Sequence, residues 1–105
     1  MSDVDPHRRV ALRIVADHDA PDAQPGDVMP MRDESGAVWG FALRCPGCNA
    51  ASEIPLRPWR TRPSWEVTAG DPLTGAGLTL SPSIHHDTDL GGCGWHGHLV
   101  NGVFA

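Results

Sequence analysis

Three cysteines stand in the 105-residue chain, and two of them form the turn Cys45-Pro-Gly-Cys48. A Cys-x-x-Cys turn sets two sulfurs a few ångströms apart, as thiolates must be to share a tetrahedral metal ion. The third cysteine opens Cys93-Gly-Trp-His96, the same spacing with an imidazole in the last place. Cys45, Cys48, Cys93 and His96 thus make a three-cysteine, one-histidine donor set of the kind that structural zinc sites use, and the expected cofactor is a zinc ion. The two knuckles are 44 residues apart (49–92), farther than in common zinc ribbons, so residue chemistry rather than spacing carries this reading. Three cysteines cannot all pair as disulfides within one chain, and in a reducing compartment such a set reads as metal ligands.

His98, His85 and His86 are the alternatives for the fourth ligand, with Asp87 or Asp89 available to orient a ligand imidazole. Otherwise the segment Ser83-Ile-His-His-Asp-Thr-Asp89 reads as a solvated polar loop.

A catalytic zinc keeps one coordination position open for water and needs an acid or base beside it. Four protein ligands leave none, so the site reads as structural and no catalytic residue is assigned. The zinc-peptidase His-Glu-x-x-His is absent, and His18 is followed by Asp-Ala, not by the x-Glu of the nucleobase deaminases. A zinc hydrolase with an open position near His85, His86, His98 and Asp87 is the competing reading. A redox role for the cysteine turn lacks the βαβ context that such dithiols use. Ser81 and Ser83 flank Pro82 without a Gly-x-Ser-x-Gly elbow, so their hydroxyls are expected to bond turn backbone near the metal.

Short strands must position these groups. Ten prolines and twelve glycines, about a fifth of the chain, favour turns over long helices. Arg9–Asp17 is rich in apolar and β-branched residues and reads as a strand, with a short helix competing. The stretch from His18 to Pro30 reads as a loop. Ala37–Cys45 alternates and reads as a strand delivering Cys45 into its turn, with 51–56 returning to complete a hairpin. Trp65–Thr68 and Leu78–Ile84 read as extended. Asn101-Gly102 between two apolar pairs is a type I′ hairpin signal. The fold class expected is mainly β: one small zinc-ribbon-like domain over residues 1–105, of short antiparallel hairpins with little helix, its residues 1–8 flexible.

A net charge of −5 argues against generic attraction to nucleic acid or anionic lipid. All eight basic residues are arginine, which a GC-rich coding genome explains. Leu56–Trp65 gathers Arg57, Arg60 and Arg62 with Trp59 and Trp65. Such a segment can pair phosphates and stack bases, but in an acidic protein it reads better as an irregular edge or a protein contact. No apolar run approaches the ~20 residues of a membrane span. The first ten residues lack an apolar signal core, so a cytoplasmic protein is expected.

The series Cys45-x-x-Cys48, Trp65, Thr79, Pro82-Ser83-Ile84, Cys93, His96 and Gly102 resembles a family of small uncharacterised phage and bacterial proteins over about Trp39 to Phe104. The resemblance implies a zinc-binding domain of unknown function and a phage origin. Some bacterial relatives lie near ubiquitin-like conjugation genes, which implies an accessory, protein-binding role. Many relatives read Pro-Thr-Leu where this chain has Gly77-Leu-Thr-Leu80, and many place Cys and His side by side, not three apart. The function expected on these grounds is that of a structural-zinc phage accessory protein that binds a host or phage protein partner, with nucleic-acid binding through the Arg/Trp segment as an alternative.

Overall fold

The computed structural model describes residues 9–57 and 64–105. The chain is mainly β, as expected. Its strands are β1 (Val10–Ala11), β2 (Arg13–Ile14), β3 (Asp27–Arg32), β4 (Val38–Arg44), β5 (Ala51–Pro55), β6 (Glu66–Ala69), β7 (Thr79–Ser81), β8 (Ile84–His85), β9 (His96–Gly97), β10 (Leu99–Val100) and β11 (Val103–Phe104). One 3₁₀ turn, Thr88–Leu90, follows β8. They form a four-stranded sheet β2-β3-β4-β5, a three-stranded sheet β1-β11-β10, and the ribbons β6-β7 and β8-β9. Among the described residues these strands pair antiparallel except β2 with β3, and an isolated parallel bridge joins Leu56 to Trp65.

The hairpin β4–β5 is in the expected place and carries the cysteine turn at its tip, with Arg44 opposite Ala51 as the last pair. β4 is buried on both faces from Gly40 to Leu43, because it lies between β3 and β5 and its small Gly40 and Ala42 are covered too. The strand expected over Arg9–Asp17 breaks in two. At Leu12 its backbone turns to donate to Gly102 O (2.9 Å), so β1 joins the terminal hairpin while β2 joins β3.

The loop expected from His18 to Pro30 in fact gives way to β3 at Asp27. Pro30 is tolerated there because β2 pairs only with Asp27 and Val28, leaving the outer side of β3 free where the proline lacks its N–H. The terminal hairpin has its left-handed turn at Asn101 (φ 50°) and Gly102 (φ 78°), the conformation a type I′ turn requires.

Val28, Phe41, Leu43 and Ile54 of the large sheet pack with Leu78, Leu80, Leu99 and Phe104 in one core. Trp95 is fully buried within it and meets Phe104 edge-on at 6.1 Å. Asp27 is buried as well, held by Arg13 through two 2.7 Å hydrogen bonds and by the Gln24 N–H. Among the described residues no helix is long and apolar enough to cross a membrane. The flexibility expected of residues 1–8 and the proposed contacts of Trp59, Arg60 and Arg62 lie outside the described residues. Arg57 is described and donates to Ser64 Oγ and O.

Candidate functional site

The hairpin tip builds the first half of a metal site from local backbone. The Cys45 N–H donates to Ala50 O and the Asn49 N–H to Cys45 O, both at 2.9 Å, with Asn49 in the left-handed region (φ 67°). The Gly47 N–H points at Cys45 Sγ (3.4 Å), a contact that favours a thiolate. Gly47 also permits close approach. A Cβ there would lie 2.8 Å from both Cys93 Sγ and Trp95 Cβ. Arg44 ties the tip down by donating to His18 O, Asn49 O and Asp19.

The second half comes from the β8–β9 ribbon. Its ladder continues past β8, with the His86 N–H donating to Trp95 O (2.8 Å) and the Gly94 N–H to His86 O (2.7 Å). This brings His86 and Cys93 against the cysteine turn. The ligand atoms of Cys45, Cys48, His86 and Cys93 all lie within 4.8 Å of one another. His86 Nδ1 is 3.1 Å from Cys45 Sγ, 3.6 Å from Cys48 Sγ and 3.8 Å from Cys93 Sγ, and the Cys45 and Cys93 sulfurs are 3.6 Å apart. Zinc bonds of about 2.3 Å to sulfur and about 2.0–2.1 Å to nitrogen give tetrahedral edges of about 3.8 Å (S···S) and about 3.6 Å (S···N). The donor set and its spacing therefore fit a four-coordinate ion, and these four residues could hold one.

All three cysteines are free thiols. Burial pushes the Cys45 thiol up to about 12, against the opposing pull of the Cys48 and Gly47 N–H groups. Burial also works against ionisation of Cys93, but the Trp95 N–H and the thiols of Cys45 and Cys48 outweigh it and hold Cys93 below the ordinary thiol range. A bound cation would favour the thiolate at all three.

Cys45, Cys48 and Cys93 thus meet as the sequence suggests, and the histidine that clusters with them is His86, whereas His96 lies elsewhere. The reason is strand parity. His86 stands opposite buried Trp95 in the ladder, whereas His96 pairs with His85. Successive residues of a strand point to opposite faces, so the side that takes Trp95 and His86 inward turns His85 and His96 out to solvent. Asp87 does not orient a ligand imidazole. Its carboxylate caps the 3₁₀ turn by accepting from the Asp89 N–H (2.8 Å). His98 exchanges backbone bonds with Ala105 at the far end of the ribbon.

On the outward face His96 Nε2 lies 2.9 Å from Ser83 Oγ. Its ring lies beside that of His85, with centroids 4.9 Å apart and planes tilted by 38°. Ser83 is fixed from the other side by the Trp65 indole, which donates to Ser83 O (3.3 Å). The serine expected to bond turn backbone instead has an imidazole as its side-chain partner. In sequence the alternation Ser83, His85 was the signal that a serine and a histidine share one face; nothing in the spacing showed that His96 lies across from them. A cavity of ≈ 50 Å³ shares His85 with this cluster, and its lining includes Ile54, Trp65, Ile84 and Trp95.

A serine hydroxyl within hydrogen-bond reach of an imidazole nitrogen is the core of a nucleophile–base pair. No curated protein and no solved structure matches the chain significantly. A family model does match, over residues 15–105. The chain belongs to the family described as the bacterial ubiquitination-like system serine protease, BubE.

Proposed function

We propose that this protein is a serine peptidase in which Ser83 is the nucleophile and His96 its general base, on a scaffold held by a structural zinc ion at Cys45, Cys48, His86 and Cys93. The 2.9 Å contact between Ser83 Oγ and His96 Nε2 carries this reading, and the family's description supports it. With the imidazole proton on Nδ1, Nε2 accepts the Ser83 proton as Oγ attacks a substrate carbonyl. The imidazolium then protonates the leaving amine, and the acyl group remains on Oγ. Water, deprotonated by the same nitrogen, attacks the ester, and the proton returns to Ser83 as the carboxylate departs.

Zinc fits the Cys45, Cys48, His86 and Cys93 cluster because thiolate-rich sets of four protein ligands are those of closed structural centres. Such a centre supplies rigidity. It leaves His96 free to act as a base, which it could not do as a ligand. The family's description, a serine protease of a ubiquitination-like system, supports a protein of such a system as the substrate, a more specific partner than the host or phage protein expected from the sequence.

An activated ester such as p-nitrophenyl acetate tests the chemistry. The wild-type protein is expected to release a burst of one p-nitrophenolate per chain, followed by slower turnover. Ser83→Ala and His96→Ala are expected to abolish the burst with metal content unchanged. A burst that survives in Ser83→Ala would contradict the assignment.

A further inference from the structure

We propose that His85 is a positioning residue for His96: its ring covers one face of the His96 imidazole and holds Nε2 on the Ser83 hydroxyl. This rests on the reading of Ser83 and His96 as nucleophile and base. The register carries the case. The His86 N–H donates to Trp95 O, so the hydrogen-bonded pairs of the ribbon fall at 86:95 and 84:97. His85 and His96, which are Cα partners, therefore occupy the non-hydrogen-bonded pair between them. Side chains stand closest at such pairs. The ring separation of 4.9 Å with a 38° tilt is that contact.

His96 needs this support because of where it sits. Both histidines are exposed, so the packed core does not immobilise the base. Nε2 lies 2.9 Å from Ser83 Oγ, and a turn about either side-chain torsion would carry it away from the hydroxyl. A flat ring opposite restricts the second torsion. His85 is suited to the task because it lies two residues from Ser83 on the same face of the chain. The backbone that sets the nucleophile thus also sets the support for its base. His86, the next residue, is turned to the sulfurs of Cys45, Cys48 and Cys93, so β8 is anchored directly beside His85.

A positioning role and an acid–base role for His85 predict different responses to substitution. If its ring acts as a flat surface, Phe replaces it and Ala does not. If its nitrogens act on the reaction, both substitutions fail. The test measures the rate at which a fluorophosphonate probe modifies Ser83 in metal-loaded wild-type, His85→Phe and His85→Ala proteins, together with kcat and KM for an activated ester. Metal content and melting temperature are recorded for each.

The expected result is His85→Phe near wild-type, and His85→Ala slower by about three- to tenfold in labelling and kcat, the size of one lost ring contact. KM, metal content and melting temperature should not change. Labelling of Ser83 at the wild-type rate in His85→Ala would overturn this inference and leave the serine–histidine pair intact. A loss in His85→Phe equal to that in His85→Ala would overturn it in favour of a chemical role. A raised KM at unchanged kcat would overturn it in favour of a substrate contact. Absence of any probe on wild-type Ser83 would overturn the peptidase reading itself, and this inference with it.

Discussion

His86 and His96 belong to one two-stranded ribbon and point to opposite sides of it, and the proposed function assigns metal binding to one side and chemistry to the other. The inward side carries His86 among three sulfurs, and the outward side carries His96 against Ser83. Single substitutions separate the two roles. His86→Ala is expected to lose the metal, whereas His96→Ala keeps one equivalent, as measured by native mass spectrometry. Retention of metal by His86→Ala with loss in His96→Ala would restore the set Cys45, Cys48, Cys93 and His96 expected from the sequence. Structural zinc in small domains is worth ~10–16 kcal/mol, and a whole domain has only about 5–15 kcal/mol of net stability. The His86→Ala protein is therefore expected to melt far below the wild type, or not to fold. The cysteines were legible because their chemistry admits few uses. The histidine that joins them was not, because Cys93-x-x-His96 matches knuckle spacing while strand parity turns His96 away from the side that takes Trp95.

At the scale of elements, the β4–β5 hairpin and the terminal β10–β11 hairpin could be read directly, since each is closed by residues adjacent in sequence. The cysteine turn closes one and Asn101-Gly102 the other. Gly102 has φ 78° and room for a Cβ, the nearest atom, Gly75 O at 3.6 Å, being at ordinary contact distance. Gly102→Ala should therefore cost backbone strain alone, about 1–2 kcal/mol, read as a lower urea midpoint at unchanged slope. No change would mean that the turn relaxes. Gly47→Ala meets a different obstacle, the Cys93 sulfur and Trp95 Cβ at 2.8 Å, and should weaken metal binding in a chelator competition. The β8–β9 ribbon was hidden from sequence reading because its strands are two residues long and the turn between them is occupied by a capped 3₁₀ segment. The split of the first strand into two sheets was hidden for a like reason: it depends on the distant Gly102 carbonyl.

Across the whole molecule, the Cys45–Cys48 tip of the large sheet and the His86–Cys93 ribbon are joined at the ligand cluster. Chelation of the metal should therefore expose Trp95 along with the cysteines, visible as a red shift in tryptophan emission. An unchanged spectrum after complete metal removal would show that the core holds without it. A second long-range tie joins β2 to β3, where Arg13 bonds the buried carboxylate of Asp27. The side-chain hydrogen bond from Arg13, with the Gln24 N–H, outweighs burial and holds the Asp27 pKa below the ordinary carboxylate range. A carboxyl depressed in the folded state stabilises at pH above its unfolded value, and that contribution is lost as pH falls through the folded value. Arg13→Met should therefore melt lower at neutral pH, and the gap from wild type should narrow below about pH 4. A constant gap across that range would show that Arg13 acts through packing alone.

Peptide mapping after fluorophosphonate treatment tests most directly whether Ser83 is an activated nucleophile and His96 its base. Metal-loaded wild-type protein should carry one adduct, on Ser83, and His96→Ala with its metal intact should carry none. An adduct spread over other serines, or one on Ser83 that forms as fast without His96, would show that the two residues are not a nucleophile and its base.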